Sequence, residues 1–326
     1  MSNSTVLPFT FASQQMVIYV GTFLLVAGLI GSPLILLVFL SLRTFRQSSC
    51  VFYLTVMSTV NIFHLFYGLF TYIIINGFTI NWLNMSLLYC KFRLFFVQLG
   101  LLTSFSCMCF ATIDQFLVTS SRPQWHRWCN IKVARYMLIG AVILWILHGI
   151  PFIVYHNHTL SPITGKISCI ITNVIFQKYY NVFYGPILIS TLPIISMILF
   201  GILAYRNVQQ IAYRAVPLVR RELDKQLTTI VLVQVFYDAI ALIPLAIMSI
   251  FNSIYGIPSD PFSAAQLTFI TALGYTISNF RYAGSFYIYV CVSQRFRQQL
   301  IYVLFTIHFN RFRHRKVNNN QVEPET

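Results

Sequence analysis

The sequence predicts an all-α membrane protein: a seven-transmembrane helix bundle with its N-terminus outside and an amphipathic eighth helix on the cytoplasmic face. Three observations carry that expectation. Hydrophobic residues make up 57% of the 326 residues and charged residues only 9%, against about 25% charged in soluble domains. Mean hydropathy is +0.71. The apolar residues also gather into seven charge-poor stretches, each of the roughly 20 residues that a helix needs to cross the hydrocarbon core. Such a chain cannot coat a soluble globule with water-binding groups. Secreted, nucleic-acid-binding and disordered classes are therefore disfavoured, despite a net charge of +15.

The first 16 residues contain no Lys or Arg and no small-residue cleavage site before a short apolar core. They are expected to form an extracellular N-terminus rather than a cleaved signal peptide. Span 1 covers residues 17–42, starts insertion itself and ends at Arg43-Thr44-Phe45-Arg46. Span 2 covers 51–75 and stops at Asn76-Gly77; span 3 covers 92–118 and precedes Arg122-Pro123. Spans 4 and 5 cover 136–155 and 180–205. Span 6 covers 227–254, closed by Gly256-Ile257-Pro258, and span 7 covers 264–290. The breaks carry turn chemistry, and the runs are too long and unalternating for barrel strands. No soluble domain or internal repeat interrupts the bundle of residues 17–290.

Orientation follows from the basic residues. Arg43 and Arg46 follow span 1, Arg122, Arg127, Lys132 and Arg135 follow span 3, and Arg206, Arg214, Arg220, Arg221 and Lys225 follow span 5. The tail adds Arg295, Arg297, Arg311, Arg313, Arg315 and Lys316, making 17 on one side. The other side has four: Lys91, Arg93, Lys166 and Lys178. The excess marks the cytoplasm, so the N-terminus is expected outside and residues 291–326 inside. In that segment Phe296, Leu300 and Leu304 are four apart. They share a face, as in a helix lying in the membrane interface; the alternative is a frayed basic tail without caps.

Of seven cysteines, only Cys90 and Cys169 face the oxidising exterior on this topology, where they can form a disulfide. Cys107 and Cys109 diverge by about 200° on a helix and make no metal motif. No cofactor or catalytic residue is expected: His64 and His148 lack carboxylate or thiol neighbours at ligand spacing. Asn3, Asn84 and Asn157 each begin a glycosylation sequon on the outer side.

Several local patterns then fall in a telling order. Asp114-Gln115-Phe116 lies 24 residues after Cys90, Trp145 sits in mid-span 4, and Pro193 and Pro244 sit within spans 5 and 6. Ser285-Phe286-Tyr287-Ile288-Tyr289 ends span 7, followed by Ser293, Phe296 and Arg297. Gly28 to Ser32 and Met57 to Asn61 occupy the cores of spans 1 and 2. With the seven spans, this order resembles the rhodopsin-like (class A) G-protein-coupled receptors, as a divergent member. The resemblance implies a plasma-membrane receptor whose ligand binds among the outer halves of spans 3, 5, 6 and 7. It implies a heterotrimeric G protein as partner, coupled by outward movement of span 6, with membrane lipids around the bundle.

The departures shape that expectation. Gln115 stands where the family has the arginine of its Asp-Arg-Tyr motif, losing the fixed charge and five-donor fork. Asn61 replaces the aspartate of span 2, so the family's sodium site lacks its carboxylate; Ser32, Asn61 and Ser285 are expected to form a neutral cluster instead. Leu242 stands in place of a tryptophan before Pro244. Pro193 and Pro244 are expected helix bends. Asp114, Gln115, Phe116 and Tyr289 are the expected coupling switch. Asp238 and Arg281 lie at similar depth, roughly 20 Å from the cytoplasmic helix ends, and are expected to form an ion pair restraining the inactive state.

A retinal lysine is missing from span 7, and outer span 3 reads Phe95-Phe96-Val97-Gln98-Leu99 where amine receptors carry an aspartate. Lys91, Arg93, Gln98, Lys166 and Lys178 form the expected ligand mouth, suited to a peptide or small molecule with an anionic group. The rival readings are a seven-span receptor that binds ligand without activating G proteins, and a transporter or channel. Transporters carry paired repeats and broken helices; here Gly185-Pro186 is a lone candidate break.

Overall fold

The computed structural model describes residues 3–41, 46–160, 167–211, 218–256, 258 and 260–309. Arg43, Lys166, Arg214, Arg311, Arg313, Arg315 and Lys316 lie outside the described residues, as do the side chains of Asn3, Arg220, Arg221 and Lys225.

Among the described residues, six helices are long and apolar enough to cross a membrane: Pro8–Ser41, Ser49–Gly77, Leu87–Thr119, Ile131–Tyr155, Val174–Gln209 and Gln226–Tyr255. They correspond to spans 1 to 6. The seventh segment is helical in two pieces, Pro261–Ser278 and Phe280–Val292, which meet at Asn279. The carbonyl of Tyr275 explains the break. It accepts from the Asn279 side-chain amide (2.7 Å), the Ser278 hydroxyl (2.7 Å) and the Asn279 backbone N–H (3.3 Å). Side chains that bond nearby backbone in this way compete with the helical ladder.

Several helices start earlier than their apolar stretches because polar residues cap them. Ser86 accepts from the Tyr89 N–H at the start of span 3, Asn173 from Phe176 before span 5, and Asp260 from Ser263 before the seventh helix. Each satisfies a free N–H of a first turn. Lys91, Arg93 and Lys178 are thereby drawn into helical turns rather than loops.

Span 3 is the central helix, packing on spans 2, 4, 5 and 6. Its Phe105, Met108 and Ala111 join Met57, Val235, Leu242 and Tyr289 in one buried core. Gly149 of span 4 permits a close crossing, since a Cβ there would stand 2.5 Å from both Phe95 and the Gln98 amide. The outer surface is apolar: Ile139, Ile143, Leu147 and Ile150 of span 4 are all exposed. An apolar belt on this scale is a lipid-facing surface.

Span 5 is widened rather than broken at Gly185-Pro186. Residues Tyr180–Thr191 form π-helical turns, in which Ser190 and Thr191 donate to the carbonyls of Gly185 (2.8 Å) and Pro186 (2.6 Å). The two hydroxyls give these carbonyls an additional donor within the wide turns. Pro193 follows in the first turn of Leu192–Ile211, so the irregular stretch precedes it. Pro244 lies inside Leu218–Tyr255, and Gly274 of the seventh helix packs near its backbone.

The loop before span 5 folds into an unexpected antiparallel hairpin of β1 (His156–Leu160) and β2 (Ile167–Ile171), with His158 opposite Cys169. Cys169 is disulfide-bonded to Cys90. The Cys169 N–H also donates to Asn84 Oδ1 (3.2 Å), and a ring nitrogen of His158 meets the Leu83 carbonyl (2.6 Å). Burial pushes the imidazole of buried His156 below its ordinary value of 6.5, against a smaller opposing effect of its bond to the Phe152 carbonyl. A histidine neutral when folded and protonated when unfolded makes stability fall as pH drops below about 6.5. The thermal midpoint should therefore decline between pH of about 7.5 and about 5.5, less steeply in His156→Gln. Parallel slopes would show that His156 does not contribute.

After span 7 the chain forms a helix, Gln294–Ile301, and it does have a cap: Ser293 accepts from the Phe296 N–H (3.1 Å). Phe296 is buried against Phe39 and Tyr289. Arg297 donates to the carbonyls of Val290 (2.7 Å) and Cys291 (3.0 Å), closing the end of the preceding helix.

Candidate functional site

The expected switch residues lie at one end of span 3, where it meets spans 2, 5 and 6. Asp114 accepts a 2.7 Å hydrogen bond from Ser49 at the start of span 2. Gln115 is buried, and its Oε1 accepts from the Thr228 hydroxyl of span 6 at 2.7 Å. The Phe116 carbonyl accepts from Asn207 of span 5, and its ring packs on Trp125 and Phe200. Tyr289 is buried between Phe39 and Phe296, its hydroxyl without a hydrogen-bond partner among the described residues. A neutral hydrogen bond thus joins spans 3 and 6, where a charged arginine would have required an acid or water.

Midway through the bundle, the neutral cluster takes a different form from the one expected. Asn61 accepts from Ser104 of span 3 at 2.7 Å. Ser285 instead bonds the Arg281 carbonyl of its own helix (3.2 Å), while Ser32 is buried on span 1. The Ser104 hydroxyl in turn accepts from Arg281 Nη2 (3.3 Å), so a span 2–span 3–span 7 chain runs through it.

Asp238 and Arg281 are both buried, but no carboxylate–guanidinium contact joins them among the described residues. Asp238 accepts from Gln234 one turn earlier (2.9 Å). The Arg281 carbon lies 3.9 Å from the Phe105 ring centroid and 4.9 Å from that of Tyr282. The negative faces of those rings hold the cation on the span 3 side.

In the half of the bundle that carries the hairpin, Gln98 does not line the expected mouth. It is buried between spans 3 and 4, its amide donating to the Trp145 carbonyl (3.0 Å) and its carbonyl accepting from His148 Nδ1 (3.1 Å). That leaves His148 Nε2 to accept from the Tyr179 hydroxyl (2.7 Å). Arg93 is half-buried and bonds Thr71 of span 2 (2.7 Å). Lys91 is half-buried and Lys178 exposed. Asp260 is exposed, its carboxyl held below the ordinary range by the Ser263 N–H and hydroxyl. Asn84 and Asn157 are half-buried under and within the hairpin.

A family model described as 7 transmembrane receptor (rhodopsin family) matches residues 13–280, most of the chain. The chain belongs to the rhodopsin family of seven-transmembrane receptors. It is a multi-pass membrane receptor of the G-protein-coupled type. Comparison with individually curated proteins finds no match. The match stops before Ser285 and Tyr289, so the end of span 7 and the tail helix are outside the matched part of this rhodopsin-family receptor.

Ser49, Ser104, Thr228 and Gln234 were not singled out by sequence. Each is a small or neutral polar residue within an apolar run, and its partner is 4 to 113 positions away. The available signal was general: a polar side chain in a membrane span must find a partner.

Proposed function

We propose that the receptor stands in the plasma membrane with its N-terminus outside and passes the signal of an extracellular ligand, a peptide or a chemosensory small molecule, to heterotrimeric G proteins. Outward movement of span 6 is the coupling step. The observation that carries this reading is the Gln115–Thr228 bond, which ties span 3 to span 6 at the end carrying the coupling motif. Breaking that bond is part of the cost of moving span 6. A ligand that takes the resting-to-active ratio from 99:1 to 1:99 must favour the active state by about 5.5 kcal/mol. Asp238 and Arg281 restrain the resting state through the field between them, each held by its own neighbours.

The test is basal signalling of wild type beside Gln115→Arg, at matched surface expression, with an N-terminal tag that also reports the outside terminus. Cyclic AMP, calcium or G-protein dissociation above mock-transfected cells supports coupling. A signal confined to Gln115→Arg means that the native glutamine damps coupling. Silence from both, with intact arrestin recruitment or ligand binding, supports the second reading, a receptor that does not use G proteins; the buried, neutral Gln115 favours that alternative over any transporter.

Thr228→Val removes the hydroxyl and keeps the shape. A typical net hydrogen bond of about 1 kcal/mol corresponds to about a five-fold shift in population. Basal signalling should rise about five-fold, or conformational exchange of span 6 should rise similarly by a fluorine label near its end. An unchanged exchange would remove the bond from the switch.

A further inference from the structure

We propose that Arg93 is the anion anchor of the ligand site, its guanidinium receiving a carboxylate, sulfate or phosphate group carried by the ligand. This deepens the receptor reading above and rests on it for the word ligand. Arg93 lies seven residues into span 3 from its cap Ser86, roughly 10 Å along the helix. It is one turn beyond Cys90, whose disulfide holds the β1–β2 hairpin over the same end of the bundle.

The fork is oriented from one side. Arg93 Nε donates to Thr71 Oγ1 at 2.7 Å, and that hydroxyl sends its own proton to the carbonyl of Tyr67 (2.5 Å) or Gly68 (3.2 Å). The threonine lone pair is therefore aimed at the arginine. The Thr71 bond uses only the Nε–H and leaves the two terminal nitrogens out of that contact. The buried Tyr89 hydroxyl, one turn earlier on span 3, adjoins both Arg93 and Thr71. A second polar group thus lies next to the fork.

Among the described residues no carboxylate meets Arg93. The acids whose side chains are described are Asp114, Asp238 and Asp260. Of these three, only Asp260 belongs to the hairpin side, and its carboxylate is exposed and bonded to the N–H and hydroxyl of Ser263. A half-buried cation with an oriented fork and no carboxylate matches an oxyanion from outside the chain, bound by two parallel charge-assisted hydrogen bonds. Exposed Lys178 can steer such a ligand but has no comparable orientation.

The test uses the purified full-length receptor in nanodiscs of phosphatidylcholine. Its thermal midpoint is measured in benzoate, sulfate or phosphate against chloride at equal ionic strength, with benzamide as the neutral counterpart of benzoate. At ten times its Kd, an oxyanion stabilises the folded state about 11-fold, a rise of about 2–4 °C. The rise should appear for wild type, vanish in Arg93→Gln and return in part in Arg93→Lys; benzamide should give none. Thr71→Val, which keeps the charge and releases the fork, should weaken the response if Arg93→Gln fails to fold. A rise in discs containing phosphatidylglycerol without added oxyanion assigns the group to a lipid headgroup; a rise in phosphatidylcholine discs assigns it to a soluble ligand. Equal responses of wild type and Arg93→Gln, including none in either, overturn the proposal. No step reads signalling, so oxyanion binding in a receptor that fails to couple counts against coupling alone.

Discussion

Arg281→Gln should destabilise the receptor by about 3 kcal/mol, and Asp238→Asn by only about 1 kcal/mol. The inequality follows from what each charge retains when the other is gone. Without Asp238, Arg281 keeps the Ser104 hydroxyl and the Phe105 and Tyr282 rings. Without Arg281, the Asp238 carboxylate keeps, among the described residues, the amide of Gln234 alone. Arg281 Nη1 also has no hydrogen-bond partner among them, but the guanidinium keeps one hydroxyl and two aromatic faces, more than the single neutral donor left to the anion. The double variant should therefore recover most of the loss from Arg281→Gln and cost about 1 kcal/mol, which makes the coupling energy about 3 kcal/mol in a double-mutant cycle. Denaturation of purified receptor in nanodiscs measures all four corners. Additive costs would mean that the two charges are independent.

The same geometry revises a test that the sequence alone suggests. Exchanging the two charges restores a symmetrical ion pair, but this site is not symmetrical. A carboxylate at position 281 would face the Phe105 ring, whose negative face favours cations. The swap should therefore leave basal signalling disturbed, whereas the neutral pair Asp238→Asn with Arg281→Gln should bring it closer to wild type. Restoration by the swap alone would require a direct ion pair.

The spans were legible because hydrocarbon thickness converts directly into sequence length, and charges are excluded from it. The Cys90–Cys169 bond was legible because topology left two cysteines on one side. Helix starts were read too late, since Ser86 and Asn173 look like loop residues until the N–H groups they accept from are in place. The break at Asn279 was hidden for a similar reason: asparagine in an apolar run does not announce which carbonyl it will take. At the candidate switch, the motif identified Gln115, but nothing near it in sequence pointed to Thr228, 113 residues away. The ion pair failed as a contact because depth along two helices says nothing of rotation about their axes, and rotation turns Arg281 toward Phe105.

Cys90→Ala with Cys169→Ala should cost about 2–3 kcal/mol, less than the separation of 79 residues suggests. For a soluble chain, closing a loop of that length restricts the unfolded state by about 4.5 kcal/mol. The unfolded state of a membrane receptor is different. Between the two cysteines lie spans 3 and 4, whose backbone groups must remain hydrogen-bonded in lipid even when the bundle comes apart. Those helices stay formed and inserted, so the segment freed by losing the bond is chiefly the hairpin from His156 to Thr172. A loop of about 15 residues contributes about 3 kcal/mol. Part of that is retained, because Asn84 and Leu83 still hold β1 and β2 by hydrogen bonds. Reversible unfolding in mixed micelles, where helices persist, should give the lower figure, and full denaturation in guanidinium should give a larger one. Equal costs in the two solvents would mean that spans 3 and 4 unfold together with the bundle.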